Sequence, residues 1–514
     1  MIHATVKNLL RTRNVFLAAL SIGLFAMAAR NVTDPDVWWH LKTGQYIAEH
    51  RSVPHTDPFS YTRVGQPWVA HEWLSELLLY DLERTTGWGG LILIFAAALT
   101  VAFFLLYLRC GPATYVAGVA TLVGAWATVP LWGVRPQVLS LLLTSLWLLI
   151  LDRCERNPKL LWWTLPLTLL WVNLHAGFAV GLALSALYLA GEWIERALGR
   201  SRQRTSGLRI AALIFLLDVL IVPLNPNGLR MFSYPIEVLR SPAMQNYIAE
   251  WASPNFHRAE YWPFLLIVLA TFATLSWSRR QLRTSQVWTS QVRTSAVRPR
   301  DLLLLLVSLY AALCSIRLMP LFVLIAVPLI SARLGNWPRR NSRPQSAQIP
   351  RALLNGAILL AMAGFAALHI AQVIQSQPQV EMQRFPARAV AFLQARSPSS
   401  RIFNHYDWGG YLIWRLYPST PVFIDGRADL YGQQLLDQFA NTYQLKGAWQ
   451  QPLRRWSVDT VLVPQDSALA TGLRSSPGWA VAYEDSQAVI LTALPNAIRT
   501  DPATGNPTLA MPSP

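Results

Sequence analysis

Long apolar blocks constrain this chain more than any other feature. Eleven stretches are dominated by aliphatic and aromatic residues and are nearly free of charge: 15–30, 89–109, 113–133, 137–153, 160–175, 177–194, 208–224, 261–277, 301–315, 318–333 and 352–374. A helix needs about 20 apolar residues to cross a ~30 Å hydrocarbon core, so several of these are short for the task. Their number still exceeds what a soluble core absorbs. Only 14% of the residues are charged, where a soluble domain carries about 25%. The expected fold is a polytopic α-helical membrane protein of about eleven spans. Lys7, Arg11 and Arg13 precede the first block and no small-residue cleavage site follows it, so that block is expected to stay as the first span. Cys110, Cys154 and Cys314 lie in or beside apolar blocks, a pattern that offers neither a disulfide framework nor a Cys-x-x-Cys metal site.

The net charge is +17, which in a soluble chain would raise nucleic acid as a partner. With the N-terminus in the cytoplasm, the segments that fall inside carry a formal +18 and the rest of the chain −1. The basic excess therefore follows the positive-inside rule of a multi-pass inner (plasma) membrane protein, and no nucleic-acid partner is expected. An odd number of spans puts everything after residue 374 outside. Two inner loops read as linkers: a five-residue repeat over 283–300 and a polar Arg- and Pro-containing stretch over 333–351. The expected organisation is a transmembrane domain over 1–375, an extracytoplasmic α/β domain over 376–494 and a disordered tail over 495–514.

Within the first domain, 31–88 and 225–260 are the long outer loops. The first opens on Asp34-Pro35-Asp36 just beyond the first span. Trp38, Leu41, Ile47 and Ala48 recur at helical spacing, which predicts an interfacial helix over 37–50. Pro54 and Pro58 stop it, Gly65-Gln66-Pro67 marks a turn, and a second amphipathic helix is predicted from Glu72 to Arg84. Trp38, Trp39, Trp68 and Trp73 are expected at headgroup depth.

The ordered set Asp34, Asp36, Gly44, Pro54, Gly65-Gln66-Pro67 and His71-Glu72-Trp73-Leu74 resembles the first loop of the GT-C superfamily of polyprenyl-phosphate-sugar-dependent glycosyltransferases. Within it, the set looks like the branch of protein O-mannosyltransferases and lipid A aminoarabinose transferases. Where that family carries Lys-Pro-Pro after its second acidic residue, this chain has Trp73-Leu74-Ser75. The phrases DPDVWWHL, PWVAHEWL, FNHYDWGGYLIW and VFIDGRADLYG also look like those of a widespread bacterial group of multi-spanning proteins.

The resemblance implies transfer of a sugar from a polyprenyl-phosphate carrier to a lipid, glycan or protein hydroxyl on the outer face. Such a reaction needs a base for the acceptor proton and positive charge for the departing phosphate. Asp36, then Asp34, are the candidate bases, since two carboxylates held together by Pro35 raise one pKa. The alternative use of Asp34, Asp36 and Glu72 is to ligate a divalent cation, Mg²⁺ or Mn²⁺. His40 and His71 are candidate ligands or phosphate donors; Arg135 and Arg317 sit at outer helix edges, where a lipid phosphate is a natural partner. Arg230 lies on a short amphipathic helix of the second outer loop. Asn173 and His175 read as a satisfied turn, Asp57 as a turn residue, and Asp218 as a functional or helix-pairing acid within a span.

In the tail, helices are predicted over 386–395 and 433–445, strands over 401–405, 422–425 and 460–464, and a hairpin over 479–492. Asp425-Gly426-Arg427-Ala428-Asp429 reads either as a metal or sugar loop or as an Asp–Arg pair ordering a turn. Two other classes compete with transfer. One is a non-catalytic scaffold that binds lipid-linked glycans. The other is a secondary transporter, which calls for inverted repeats that this sequence lacks.

Overall fold

The computed structural model describes residues 11–199, 205–284, 297–335, 349–396 and 400–494. Most of the two linkers and all of the tail beyond 494 lie outside these residues. Two compact units form: residues 1–55 with 69–380, and residues 56–68 with 381–514. The stretch 56–68, part of the first loop in sequence, belongs by its packing to the second unit.

The first unit is helical. Its elements are α1 (Thr12–Ala28), α2 (Val37–His50), α3 (Trp73–Arg109), α4 (Thr114–Thr128), α5 (Gln137–Arg153), α6 (Thr164–Leu174), α7 (Phe178–Ala197), α8 (Thr205–Ile221), α9 (Arg230–Arg240), α10 (Trp262–Thr284), α11 (Pro299–Cys314), α12 (Met319–Gly335) and α13 (Ile349–Arg384). Each predicted span falls on one of these helices. Seven helices among the described residues are long and apolar enough to cross a membrane, and the chain is an integral membrane protein. The predicted amphipathic helix and the span that follows it are joined as α3, broken at Gly87, whose φ of 63° only glycine adopts without strain. Asp218, within α8, accepts hydrogen bonds from Thr164 and Thr168 of the α6 segment, both at 2.7 Å. It therefore pairs helices.

At one end of the bundle Arg298 and Arg300, at the start of α11, meet Glu155, Glu192 and Glu195. Arg298 Nη2 lies 2.7 Å from Glu192 and 2.8 Å from Glu195. The guanidinium of Arg300 also covers the Tyr188 ring, 4.9 Å from its centroid. Charges desolvated at helix ends survive only when paired in this way.

In the second unit, β1 (Ile402–Asn404), β2 (Thr460–Pro464), β3 (Trp479–Glu484) and β4 (Ala488–Ala493) form one sheet in the order β1-β2-β4-β3. β1 and β2 are parallel; the other pairs are antiparallel. The predicted helices appear as α14 (Ala387–Arg396) and α16 (Ala428–Tyr443), with α15 (Gly409–Leu416) and α17 (Ala468–Arg474) in addition. The predicted strand 422–425 joins by isolated bridges at Val422 instead of a ladder. The reason is Asn404, whose buried amide accepts from Phe423 N–H at 3.0 Å and donates to Ile424 C=O at 2.8 Å, taking the place of a strand partner.

Arg427 is the centre of this unit. Its guanidinium donates to both oxygens of Asp425, at 2.8 and 2.7 Å, and to Asp57 at 2.8 Å. It stacks on Phe59 and Trp68, 5.2 and 4.6 Å from the ring centroids. Tyr431 donates to Asp425 at 2.5 Å. The Asp-Gly-Arg sequence is thus an Asp–Arg pair holding a turn, and Asp57 is its second counter-ion. Trp68 lies inside this unit, its ring against the Arg427 cation. Removing one partner of a buried ionic group leaves the others uncompensated, typically about 3–5 kcal/mol. Arg427→Met is therefore expected to destabilise the second unit by about that much, read as faster proteolysis of 381–494 in the detergent-purified chain. Unchanged protease resistance would contradict the role of Arg427.

Candidate active site at one end of the helical unit

Helix α2 begins at Asp36, and Asp36, His40 and Gly44 recur every four residues along it. Glu72, Glu76 and Tyr80 recur likewise at the start of α3. Residues four apart share a helix face, and these two stripes meet. A Cβ added at Gly44 would stand 2.1 Å from the Glu76 carbonyl oxygen and 2.7 Å from Tyr80 Cβ, so only glycine allows this approach.

The contact buries a cluster of ionisable groups. His40 Nδ1 lies 3.3 Å from Glu76 Oε1 and 3.5 Å from Glu72 Oε2. Glu72 Oε1 faces His71 Nε2 at 3.1 Å and His175 Nε2 at 3.2 Å. His175 Nδ1 accepts from Gly177 N–H at 2.7 Å, so its proton sits on Nε2 and points at Glu72. The His71 ring packs on Tyr234 of α9, centroids 4.6 Å apart. Exposure is 2% for His40, 4% for Glu72 and 1% for Glu76. Burial disfavours the charged forms of Glu72 and His40 alike. For Glu72 it is outweighed, chiefly by His71 and His175, and the carboxyl stays below its ordinary range. For His40 the carboxylates of Glu76 and Glu72 outweigh it and raise the imidazole.

Beside this cluster runs an alternating row of acids and bases. Asp34 Oδ1 accepts from Asp36 N–H at 2.9 Å, closing the turn that starts α2. Asp34 Oδ2 lies 2.9 Å from Arg135 Nε. Arg135 Nη1 pairs with Glu250 Oε1. The other Glu250 oxygen is 4.0 Å from Arg317 Nε, and that guanidinium covers the Trp251 ring at 5.7 Å. Asp36 keeps one bond to its side chain, from Trp39 Nε1 at 3.1 Å. Burial first and the neighbouring Asp34 second push its carboxyl up to about 7. Asn31 and Val32 bond to Val373, Ser376 and Gln377 of α13, which fixes the loop ahead of Asp34.

The structure therefore brings together Asp34, Asp36, Arg135 and Arg317 in one row, and His40, His71 and Glu72 in the other. Arg230 stands apart, exposed at the first turn of α9. Of the three residues expected to share a cation, only Glu72 lies where ligand atoms converge. Asp34 is turned to Arg135 and Asp36 to Trp39. Among the described residues, the converging group is His40, Glu72 and Glu76, with ligand atoms within 4.8 Å of one another. Trp38 and Trp39 are buried in the protein, 1% and 7% exposed. The sequence reading missed Glu76, and placed Glu250 and Tyr234 in the second outer loop without giving either a role at the site. The signal for Glu76 was present, one helical turn after Glu72. His175 and Asn173, read as a closed turn, reach further: Asn173 Oδ1 accepts from Trp73 Nε1 at 2.8 Å.

Gly44→Ala is expected to lower stability by about 1–3 kcal/mol through overpacking. Gly23→Ala, with nothing within 4 Å of the added carbon, should leave it unchanged. Thermal unfolding of the two purified variants checks this, and equal melting would refute the close approach.

No protein-family model and no curated sequence matches this chain. Among solved structures it is similar to the archaeal oligosaccharyltransferase AglB from Archaeoglobus fulgidus in complex with an inhibitory peptide and a dolichol-phosphate. That likeness has a TM-score of 0.56 at 11% identity and covers 87% of this chain and 69% of that one. The apo form of the Archaeoglobus enzyme gives 0.53 at 11% identity, over 88% and 69%. ArnT from Cupriavidus metallidurans bound to undecaprenyl phosphate gives 0.48 at 11% identity, over 95% and 98%. Over most of its length the chain thus shares the fold of the Archaeoglobus enzyme.

Proposed function

We propose that this protein is a membrane glycosyltransferase that moves a sugar from a polyprenyl-phosphate carrier to a hydroxyl of a lipid, glycan or protein on the outer face of the inner membrane. The observation that carries the reading is the pairing at the first loop: Arg135 occupies Asp34, while Asp36, next to it, has no cationic partner among the described residues within ion-pair distance. One acid of the pair is neutralised and the other is left to take a proton. The dolichol-phosphate bound to the archaeal enzyme of the same fold supports a lipid-phosphate donor.

In this reading the acceptor oxygen attacks the anomeric carbon as the bond to the carrier phosphate breaks, with inversion. Asp36 takes the acceptor proton as its oxygen becomes the nucleophile. The leaving phosphate gains negative charge, and Arg317 is the cation placed to meet it. Arg317 holds Glu250 only at 4.0 Å, which leaves guanidinium donors for a bidentate phosphate contact. Arg135, bound on both sides by carboxylates, sets the position of Asp34 and Glu250. Arg230, exposed on α9, is assigned to the headgroups of surrounding lipids.

The test is transfer from a labelled polyprenyl-phosphate sugar in proteoliposomes of the full chain. Asp36→Asn is expected to lower kcat by about 10²–10⁴, and Asp34→Asn by less. Arg317→Ala should chiefly raise KM for the donor. Full transfer by Asp36→Asn overturns its assignment as base. Donor binding without turnover by the wild-type protein would replace the enzyme with a lipid-linked-glycan scaffold.

A further inference from the structure

The buried His40–Glu72–Glu76 cluster is not explained by proton transfer at Asp36. Two carboxylates lie side by side with little solvent, and Glu72 Oε2 and Glu76 Oε2 receive no hydrogen bond. An unmet buried carboxylate oxygen is costly. Glu72 Oε2 and Glu76 Oε1 face the same imidazole nitrogen, His40 Nδ1, at 3.5 and 3.3 Å, the second as a hydrogen bond. A tetrahedral ion with bonds of about 2.0–2.1 Å sets its ligands about 3.3–3.4 Å apart, close to these spacings. The charge balance agrees, since a dication cancels two carboxylates beside a neutral imidazole. The surroundings are those of a metal ligand as well. His71 and His175 hold Glu72 by its other oxygen, which turns Oε2 toward His40, as outer partners orient a ligating carboxylate.

We propose that His40 Nδ1, Glu72 Oε2 and Glu76 bind a divalent transition metal of the zinc class, and that this ion is a structural clamp fastening α2 to α3. One nitrogen and two carboxylate oxygens suit Zn²⁺ better than Mg²⁺, which prefers an all-oxygen octahedron with several waters. With all three side chains 5% exposed or less, the ion enters as the helices assemble and does not meet substrate. Its chemical task is to hold the α2 N-terminus, and with it Asp36, at a fixed place over the bundle.

The experiment is metal analysis of the full-length protein, purified in detergent without a polyhistidine tag from cells grown with zinc. About one equivalent of zinc per chain is expected in the wild type and in Asp34→Asn. A loss of at least tenfold is expected in Glu76→Gln and in His40→Ala. Wild-type protein from zinc-depleted cells should melt at lower temperature than zinc-loaded protein, and Glu76→Gln should show no such difference. Where a variant fails to accumulate, X-ray absorption of the wild-type protein decides: a first shell of one nitrogen and two or three oxygens supports the site, and any other shell overturns it. Metal-free wild type, or equal zinc in wild type and both cluster variants, also overturns it. Metal content is read without turnover, so failure of the transferase reading and failure of this one are separable.

Discussion

Everything at the candidate site depends on two helices coming closer than side chains normally permit. The backbone of α2 at Gly44 rests against the Glu76 carbonyl, and that contact places His40 between two carboxylates. Separate the helices by the width of a methyl group and the histidine no longer reaches both acids. The acids would then be buried charges with one counter-group fewer, in a place where uncompensated charge costs several kcal/mol. Packing and electrostatics are therefore one constraint here: the glycine is tolerated in mid-helix, at a cost of about 1 kcal/mol relative to alanine, because the approach it permits satisfies a buried ionic group.

The row from Asp34 to Arg317 obeys a different logic. It is partly solvated, with side-chain exposures of 14–24%, and its charges alternate along four elements far apart in sequence. Each arginine limits the freedom of the acid beside it. Asp34 is held by Arg135 and by the Asp36 amide. For Asp36, burial and the neighbouring Asp34 outweigh the pull of His40 and Arg135, and its carboxyl is raised to about 7. Two acids two residues apart thus differ in the partner each one faces, a guanidinium for Asp34 and an indole for Asp36.

Much of the architecture was legible in the sequence because apolar periodicity and charge placement report on it directly. The helices expected as spans, the two amphipathic helices of the first loop and most elements of the second unit fall where hydropathy and turn residues put them, though seven of those helices are long and apolar enough to cross a membrane. Asp34 and Asp36 stood out because an acid pair beside a span is conspicuous. What sequence did not disclose was pairing across distance. Nothing in the stretch around Arg135 announces Glu250, over a hundred residues away, and nothing near Asp57 announces Arg427. The tryptophans of the first loop read as headgroup anchors by composition, and their contacts with Arg427 and with the Trp88 ring, which bury Trp68 and Trp38, are not visible in the sequence. The strand expected over 422–425 failed for a similar reason, since one buried asparagine supplies the hydrogen bonds a neighbouring strand would have offered.

Glu76 shows where a stricter reading of periodicity would have gained. Glu72 reads in the sequence as a candidate cation ligand, and at a helix start the dipole also favours an acid. Glu76 stands in the same first turn. A second glutamate four residues on, buried on the same face, needs a partner beyond what the dipole supplies. On α2 the residue at the matching position is a histidine, four residues after Asp36 and four before Gly44. Polar residues at strict four-residue spacing on two consecutive helices, one set interrupted by glycine, are a signature of facing stripes. Read in that way, the buried ionic cluster follows from periodicity, and its burial sets the groups that hold the helices together apart from the partly solvated row beside it.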